Sequence, residues 1–210
     1  MDFTGFTEET FTFFDGLARD NSKEYFHAHH EVYVRAVREP ARALAGALEE
    51  EFGPMKVGRP NRDTRFSHDK SPYKTHVGLA GQGQGTVGRY LQLGLDGLWV
   101  GAGYHAMSSA QVQRFREGVD DGREGPRLDR IVDELAGQGF DLVGDTLKTH
   151  PRGYGGDHPR VHLLRYRSLG AEHHVERSGE LCSPALLDTV RADWRALRPL
   201  LEWLERHVTS

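Results

Sequence analysis

The chain concentrates its chemistry between Arg59 and Lys74. Residues 56–74 read KVGRPNRDTRFSHDKSPYK, with six basic and two acidic side chains, a net charge of +4. Extended backbone puts Arg62 and Thr64 on one face and Asp63 and Arg65 on the other. Guanidinium forks match phosphate or carboxylate oxygens in pairs, whereas Lys70 and Lys74 supply compact ammonium charges. Three of the five lysines (56, 70 and 74) fall here, in a chain that otherwise writes its positive charge as 22 arginines, so the ammonium group itself is wanted. Pro60, Pro72, Phe66 and Tyr73 are residues that pin a loop. The chemistry predicted is the neutralisation of a small anion by Arg62, Arg65, Lys70 and Lys74, with Tyr73 positioning it. Asp63 is the proton carrier of this run, or else an arginine partner or a metal ligand. In the competing reading Arg62–Asp63-type pairs hold the sheet to the helices and the run is a structural tie.

A second loop carries similar residues. Lys148, Arg152, Tyr154 and His158 are spaced by Gly153, Gly155 and Gly156, a composition common in ligand loops. Tyr154 is a second positioning phenol and His158 a second proton carrier. Packed against residues 62–74, this loop would complete a basic cleft with aromatic walls. His27, His29 and His30 sit in a predicted helix, where His27 and His30 share a face. No HExxH pairing accompanies them, so surface or capping roles are expected and no metal site is predicted. The glycine-rich GQGQGTVG at 81–88 lacks the lysine of a phosphate loop, and no GxSxG elbow is present. No cofactor is implied.

Several elements must hold these residues. Thr7 caps a helix over 6–18, with Phe6 and Phe11 as a hydrophobic staple and Glu8 and Glu9 in the first turn. Asn21, with Glu24 three residues on, starts a second helix whose apolar stripe runs through Phe26, Tyr33 and Val37 to Pro40. Pro40 opens a third, carrying Ala41, Leu44, Ala45, Leu48 and Phe52. After the basic run, Asp96-Gly97 between apolar stretches signals a hairpin, and the apolar Leu98-Trp99-Val100 suits a central strand. Ser108 or Ser109 caps a helix to about Val119, and Pro126 opens another. A short strand is expected near Leu147, residues 159–168 fit helix and strand equally, and 171–177 alternate weakly as a strand. A helix follows Ser183-Pro184 and restarts at Pro199. The order predicts α+β, an antiparallel sheet in the middle of the chain covered by N-terminal and C-terminal helices. One domain over 1–210 is expected: 1–55 helical, 56–105 strand-rich, 106–210 mixed helical.

The composition bounds the remainder. With 210 residues the chain buries a sufficient core without cross-links. Its net charge of −4 argues against a broad nucleic-acid surface, and that average divides into −6 over 1–55, +4 over 56–74 and −2 beyond. The single cysteine, Cys182, excludes an internal disulfide and suits a reducing compartment. No apolar run approaches the ~20 residues of a membrane span, and the first residues lack signal-peptide character. A cytoplasmic location is expected.

The run Arg62 to Thr75 also resembles the signature of the domain of unknown function 2461 family, conserved hypothetical proteins of bacteria and fungi. The likeness extends over nearly the whole chain: Asn21-Ser22-Lys23-Glu24-Tyr25-Phe26, Gly101-Ala102-Gly103-Tyr104, Pro151-Arg152-Gly153-Tyr154 and Asp157-His158-Pro159 all resemble family segments. Tyr25 stands where the family usually has Trp, and the glycine-rich 81–88 is local to this chain. The resemblance implies a cytoplasmic α+β protein and carries over no activity, substrate or cofactor. The residues therefore point to a small phosphate- or carboxylate-bearing ligand, with or without enzymatic turnover. The alternatives are a non-catalytic module for an acidic partner or a nucleic-acid backbone, and a purely structural basic motif.

Overall fold

A computed structural model describes residues 2–65, 69–81 and 87–209. Phe66, expected to pin the basic loop, and residues 82–86 of the glycine-rich run lie outside the described residues, as do Ser67 and His68 of the family-like motif.

Thr7, in extended conformation, opens helix α1 (Glu8–Arg19), and its N–H donates to the Thr10 hydroxyl at 3.2 Å. Phe11, Phe14 and Leu17 of this helix are buried. Helix α2 (Lys23–Ala28) is capped by Ser22, whose hydroxyl accepts the Tyr25 N–H at 3.0 Å, so the cap lies one residue beyond Asn21. The helix expected to run on to Pro40 breaks at His29 (φ −110°, ψ 16°). It resumes as α3 (His30–Val32), widens into a π-helical turn over Tyr33–Arg38 and continues as α4 (Glu39–Phe52). Glu39 N–H bonds the Val34 carbonyl five residues back. This wider turn admits Pro40, which lacks the N–H and the clearance that an α-helical turn demands.

The strands β1 (Met55–Val57), β2 (Val77–Gly81), β3 (Val87–Leu93), β4 (Gly97–Tyr104), β5 (Asp141–Val143) and β6 (Leu169–Glu176) form one antiparallel sheet in the order β1-β2-β3-β4-β6-β5. The Asp96-Gly97 hairpin forms as predicted, closed by Gly94 N–H to the Gly97 carbonyl at 2.9 Å, and β4 is central. Between β2 and β3, Val77 opposes Leu93 and Leu79 opposes Leu91, all four buried. The alternate pairs, Gly78 with Gln92 and Ala80 with Tyr90, occupy the more open face.

The chain divides into two compact units. The first holds α1 to α4, β1, β2, Tyr90–Val100 and His174–Ala192; its core includes Phe6, Phe11, Phe14, Leu44, Leu48, Leu79 and Leu91, with α4 packed on β1 and β2.

The second unit holds Val87–Arg89, Gly101–His173 and the chain from Asp193 onward. Helix α5 (Ser109–Asp120) begins at Ser108, which exchanges bonds with Gln111 as a capping box. Helix α6 (Glu124–Gly137) starts two residues ahead of Pro126, because the Asp121 carboxylate accepts the N–H groups of Arg123 and Glu124 at 2.7 and 2.8 Å. Strand β5 precedes Leu147, the expected strand position. Next to Leu147 the strand expectation is met only by an isolated antiparallel bridge, Thr146 with Tyr166, flanked by Leu147 N–H to the Arg165 carbonyl at 2.8 Å and Arg167 N–H to the Asp145 carbonyl at 2.7 Å. The ambiguous stretch 159–168 yields a single turn, α7 (Val161–Leu164). Tyr104, Phe115, Leu128 and Trp203 are buried here, with Phe115 edge-on to Trp203 at 5.8 Å. Helix α8 (Ala185–Ala196) is followed by α9 (Arg198–Leu204), which restarts at Pro199 as expected. Among the described residues no helix is long and apolar enough to cross a membrane.

Candidate functional site

The basic run folds back on itself as an irregular hairpin. Asn61 and Tyr73 form an antiparallel bridge, Arg62 N–H donates to the Pro72 carbonyl at 2.8 Å, and Lys74 N–H donates to the Pro60 carbonyl at 2.8 Å. Both prolines thus serve as acceptors, the one backbone role left to them. The stem is anchored from α2's entry. The Asn21 side-chain amide donates to the Tyr73 carbonyl at 3.1 Å and its oxygen accepts the Tyr73 N–H at 2.9 Å, so it pairs with Tyr73 as a neighbouring strand would. The Tyr73 ring stacks on Phe26, centroids 4.1 Å apart and 7° from parallel, and the residue is 6% exposed. Tyr73 thereby fixes the stem from its buried side. Arg62 and Lys74, chain neighbours of the bridged pair, fall on the opposite face.

At the tip, a local turn brings Asp63 and Arg65 together. The Arg65 guanidinium donates to both Asp63 oxygens, Nε to Oδ1 at 3.0 Å and Nη2 to Oδ2 at 2.7 Å, and Arg65 N–H adds a third bond at 3.2 Å. These bonds hold the Asp63 carboxyl below the usual range and raise the Arg65 guanidinium. Asp63 is therefore a weaker base than a free carboxylate, and the Arg65 side chain remains 76% exposed. Lys70 donates its ammonium to the Thr64 carbonyl at 2.8 Å across the tip. Arg62 pairs with Asp69 rather than Asp63, Nη2 to Oδ2 at 3.1 Å, and among the described residues its shielded Nε has no acceptor. Bonds from the Ser71 hydroxyl and N–H, with Arg62 nearby, lower the Asp69 carboxyl.

One contributor lies just past the motif. His76 packs beside Gly94: a Cβ placed on Gly94 would stand 3.5 Å from the His76 Cβ and 3.4 Å from an Asp96 oxygen. Burial, then Lys74 and Arg62, push the His76 imidazole below its ordinary value, so it is held neutral among cations. The sequence signal was its position two residues after Lys74.

Tyr154 and His158 belong to the second unit. His158 Nδ1 accepts the Arg160 N–H at 3.1 Å, which assigns its proton to Nε2, and Nε2 faces Asp120 Oδ1 at 3.1 Å. Both ring nitrogens are committed and the side chain is 15% exposed. Tyr154 stands edge-on to it, centroids 6.2 Å apart. Burial, Asp120 and Glu117 raise the Tyr154 phenol, while Arg116 lowers it, so the hydroxyl stays a donor. Lys148 and Arg152 are exposed. Of the helical histidines, His29 takes a capping role: its Nδ1 donates to the Tyr25 carbonyl at 2.8 Å and its ring stacks on Tyr25. Among the described residues no group of three or more His, Cys, Asp or Glu is placed to hold a metal ion.

A family model described as conserved hypothetical protein (DUF2461) matches residues 9–203. No curated protein matches the chain.

Proposed function

Because the chain belongs to the DUF2461 family, whose description names no reaction, we propose from the chemistry of its residues that the basic hairpin binds a small phosphate- or carboxylate-bearing anion. Arg62 and Lys74 supply the principal charges at the stem, and Arg65 and Lys70 extend them over the tip. Tyr73 contributes by holding the stem. The observation that carries this reading is the gathering of positive charge at the stem: among the described residues Arg62 Nε has no acceptor, and, after burial, Lys74 and Arg62 disfavour a further positive charge on His76. A guanidinium N–H shielded from water and left without an acceptor is costly unless a ligand supplies one. A role for Asp63 or His158 in moving protons is not part of the proposal, since both have their acceptors engaged.

The Arg62–Asp69 pair and the Asn21–Tyr73 clamp favour a second reading, in which the hairpin is only a structural tie. Calorimetric titration with inorganic phosphate separates the two. On the binding reading, Arg62→Ala and Lys74→Ala each weaken phosphate binding about tenfold or more, the worth of a charge-assisted hydrogen bond. On the structural reading they lower the melting temperature and wild type shows no phosphate binding.

A further inference from the structure

Trp99 is the tryptophan that the core does not take. Trp194 and Trp203 are fully buried, whereas Trp99 is half-buried in β4, within the first unit. Its ring stacks on His174 of the neighbouring strand β6, centroids 4.2 Å apart and 21° from parallel, and its indole N–H donates to Asp96 Oδ2 at 3.3 Å. These two contacts fix the orientation of the ring. His174 covers one face of the indole, and the other face is turned towards β3.

Register sets what lies on that side. Counting back from the closing pair Gly94 and Gly97, Gln92 stands across from Trp99, and Gly78 of β2 stands across from Gln92. This row belongs to the more open face of the sheet. Gly78 puts nothing above it, and a Cβ there would meet only the Leu91 carbonyl oxygen, at 3.6 Å. Ala80, the next residue of β2 on this face, is exposed. The Gln92 amide makes no hydrogen bond among the described residues. The result is an indole wall, a floor of small residues, and one amide with donors and an acceptor to offer. The basic hairpin springs from the same end of the sheet: Lys74 shortly precedes β2, whose first residue, Val77, opposes Leu93 at the end of β3.

We propose that this shelf takes the base of a nucleotide, stacked on Trp99 with its edge hydrogen-bonded to the Gln92 amide, and that the anion bound by the hairpin is the phosphate of that nucleotide. The choice of a nucleotide over another flat ring rests on the anion reading. An aromatic side chain stacks any base, because every base has a π-face. A side-chain amide donates and accepts in one plane, which matches the adjacent donor and acceptor of a base edge. The phosphate supplies the charge complementary to Arg62 and Lys74. A bare phosphate or a small carboxylate would engage the hairpin alone and leave the shelf unused.

Adenosine monophosphate, ribose phosphate and inorganic phosphate, titrated calorimetrically against the whole chain, divide the ligand into its parts. Adenosine monophosphate is expected to bind about tenfold or more tightly than ribose phosphate, the worth of one stacked base. It also quenches tryptophan emission saturably, a signal from Trp99 because the other two indoles are buried. Both comparisons are made on wild type and need no variant. Trp99→Leu removes the advantage of the base and leaves ribose phosphate binding as it was, and Gln92→Leu evens the affinities for adenosine, guanosine and uridine monophosphates. Equal affinity for adenosine monophosphate and ribose phosphate, or a preference for the base that survives Trp99→Leu, overturns this inference and leaves the anion reading standing. An unchanged order among the three bases in Gln92→Leu overturns the edge contact. Base-dependent binding that Arg62→Ala and Lys74→Ala both leave unchanged overturns the anion reading, and with it the hairpin as holder of the phosphate. Failure of all the compounds to bind overturns both.

Discussion

Asp63 and Arg65 spend their functional groups on each other, which decides what each offers a ligand. The folded Asp63 carboxyl is depressed chiefly by its bonds to Arg65. Its stabilising contribution is therefore complete above the unfolded aspartate value and disappears as pH falls through the lower folded value. Carboxyl NMR should place the Asp63 midpoint below that of a free aspartate, and Arg65→Ala should move it back up. Asn21 presents the opposite case, a polar side chain spent on backbone. Asn21→Ala leaves the Tyr73 N–H and carbonyl unpaired and should cost about 2 kcal/mol in urea denaturation, with Asn21→Asp recovering only the N–H half. The sequence suggested Arg62–Asp63-type pairs, whereas Arg62 takes Asp69 and Asp63 takes Arg65, because the backbone turns between residues 63 and 65. The role of Asn21 was not legible, because NSKE reads as a helix cap and the partner stands 52 residues away. His76 was signalled only by its spacing from Lys74, because Arg62 acts on it from the other arm of the hairpin.

At the scale of elements, helix ends carry the most exposed dependencies. Arg160 closes the C-terminal end of α5, donating Nε to the Val119 carbonyl at 2.7 Å and Nη2 to the Asp120 carbonyl at 3.3 Å. A cation on terminal carbonyls satisfies orphan acceptors and complements the helix dipole. Arg160→Ala should lower stability by about 1–2 kcal/mol, read from thermal or urea unfolding. Gly125, at the start of α6, admits this arrangement: a Cβ there would stand 2.1 Å from the Val119 carbonyl oxygen and 2.4 Å from Arg160 Nε. Gly125→Ala should therefore cost more than Arg160→Ala, and removing Arg160 in the same chain should not relieve it, since the backbone carbonyl cannot step aside. Element existence was well marked in the sequence at Thr7, Asp96-Gly97, Ser108 and Pro199. Element starts were missed where two caps competed, as when Asp121 outran Pro126, or where long-range contacts settled an even choice, as at 159–168. The break at His29 and the π turn before Pro40 had no signature beyond the proline itself.

For the whole molecule, the order of helices, strands and helices was enough to predict α+β with a mid-chain antiparallel sheet, because antiparallel strands follow one another by short turns. The two compact units were not legible, since no linker separates them: the chain passes from one to the other inside β3 before Tyr90, inside β4 after Val100, inside β6 after His173 and inside α8 after Ala192. We propose on this basis that the chain unfolds as one cooperative domain. Trp99 lies in the first unit and Trp194 and Trp203 in the second, so variants keeping one set of indoles report each unit by fluorescence. Coincident urea midpoints are expected, and separated midpoints would show two folding units. The clamp between Asn21 and Tyr73 gives the basic motif a dependence of a different kind. Closing a loop of that length is an entropic cost met only when helix and hairpin are both in place. A synthetic peptide spanning 56–80 carries every charge of the motif and none of that closure, so its anion affinity should be far below that of the intact chain. An anion that recognises only the closed form in turn stabilises it by mass action, which makes ligand binding a readout of whether residues 21 and 73 have met.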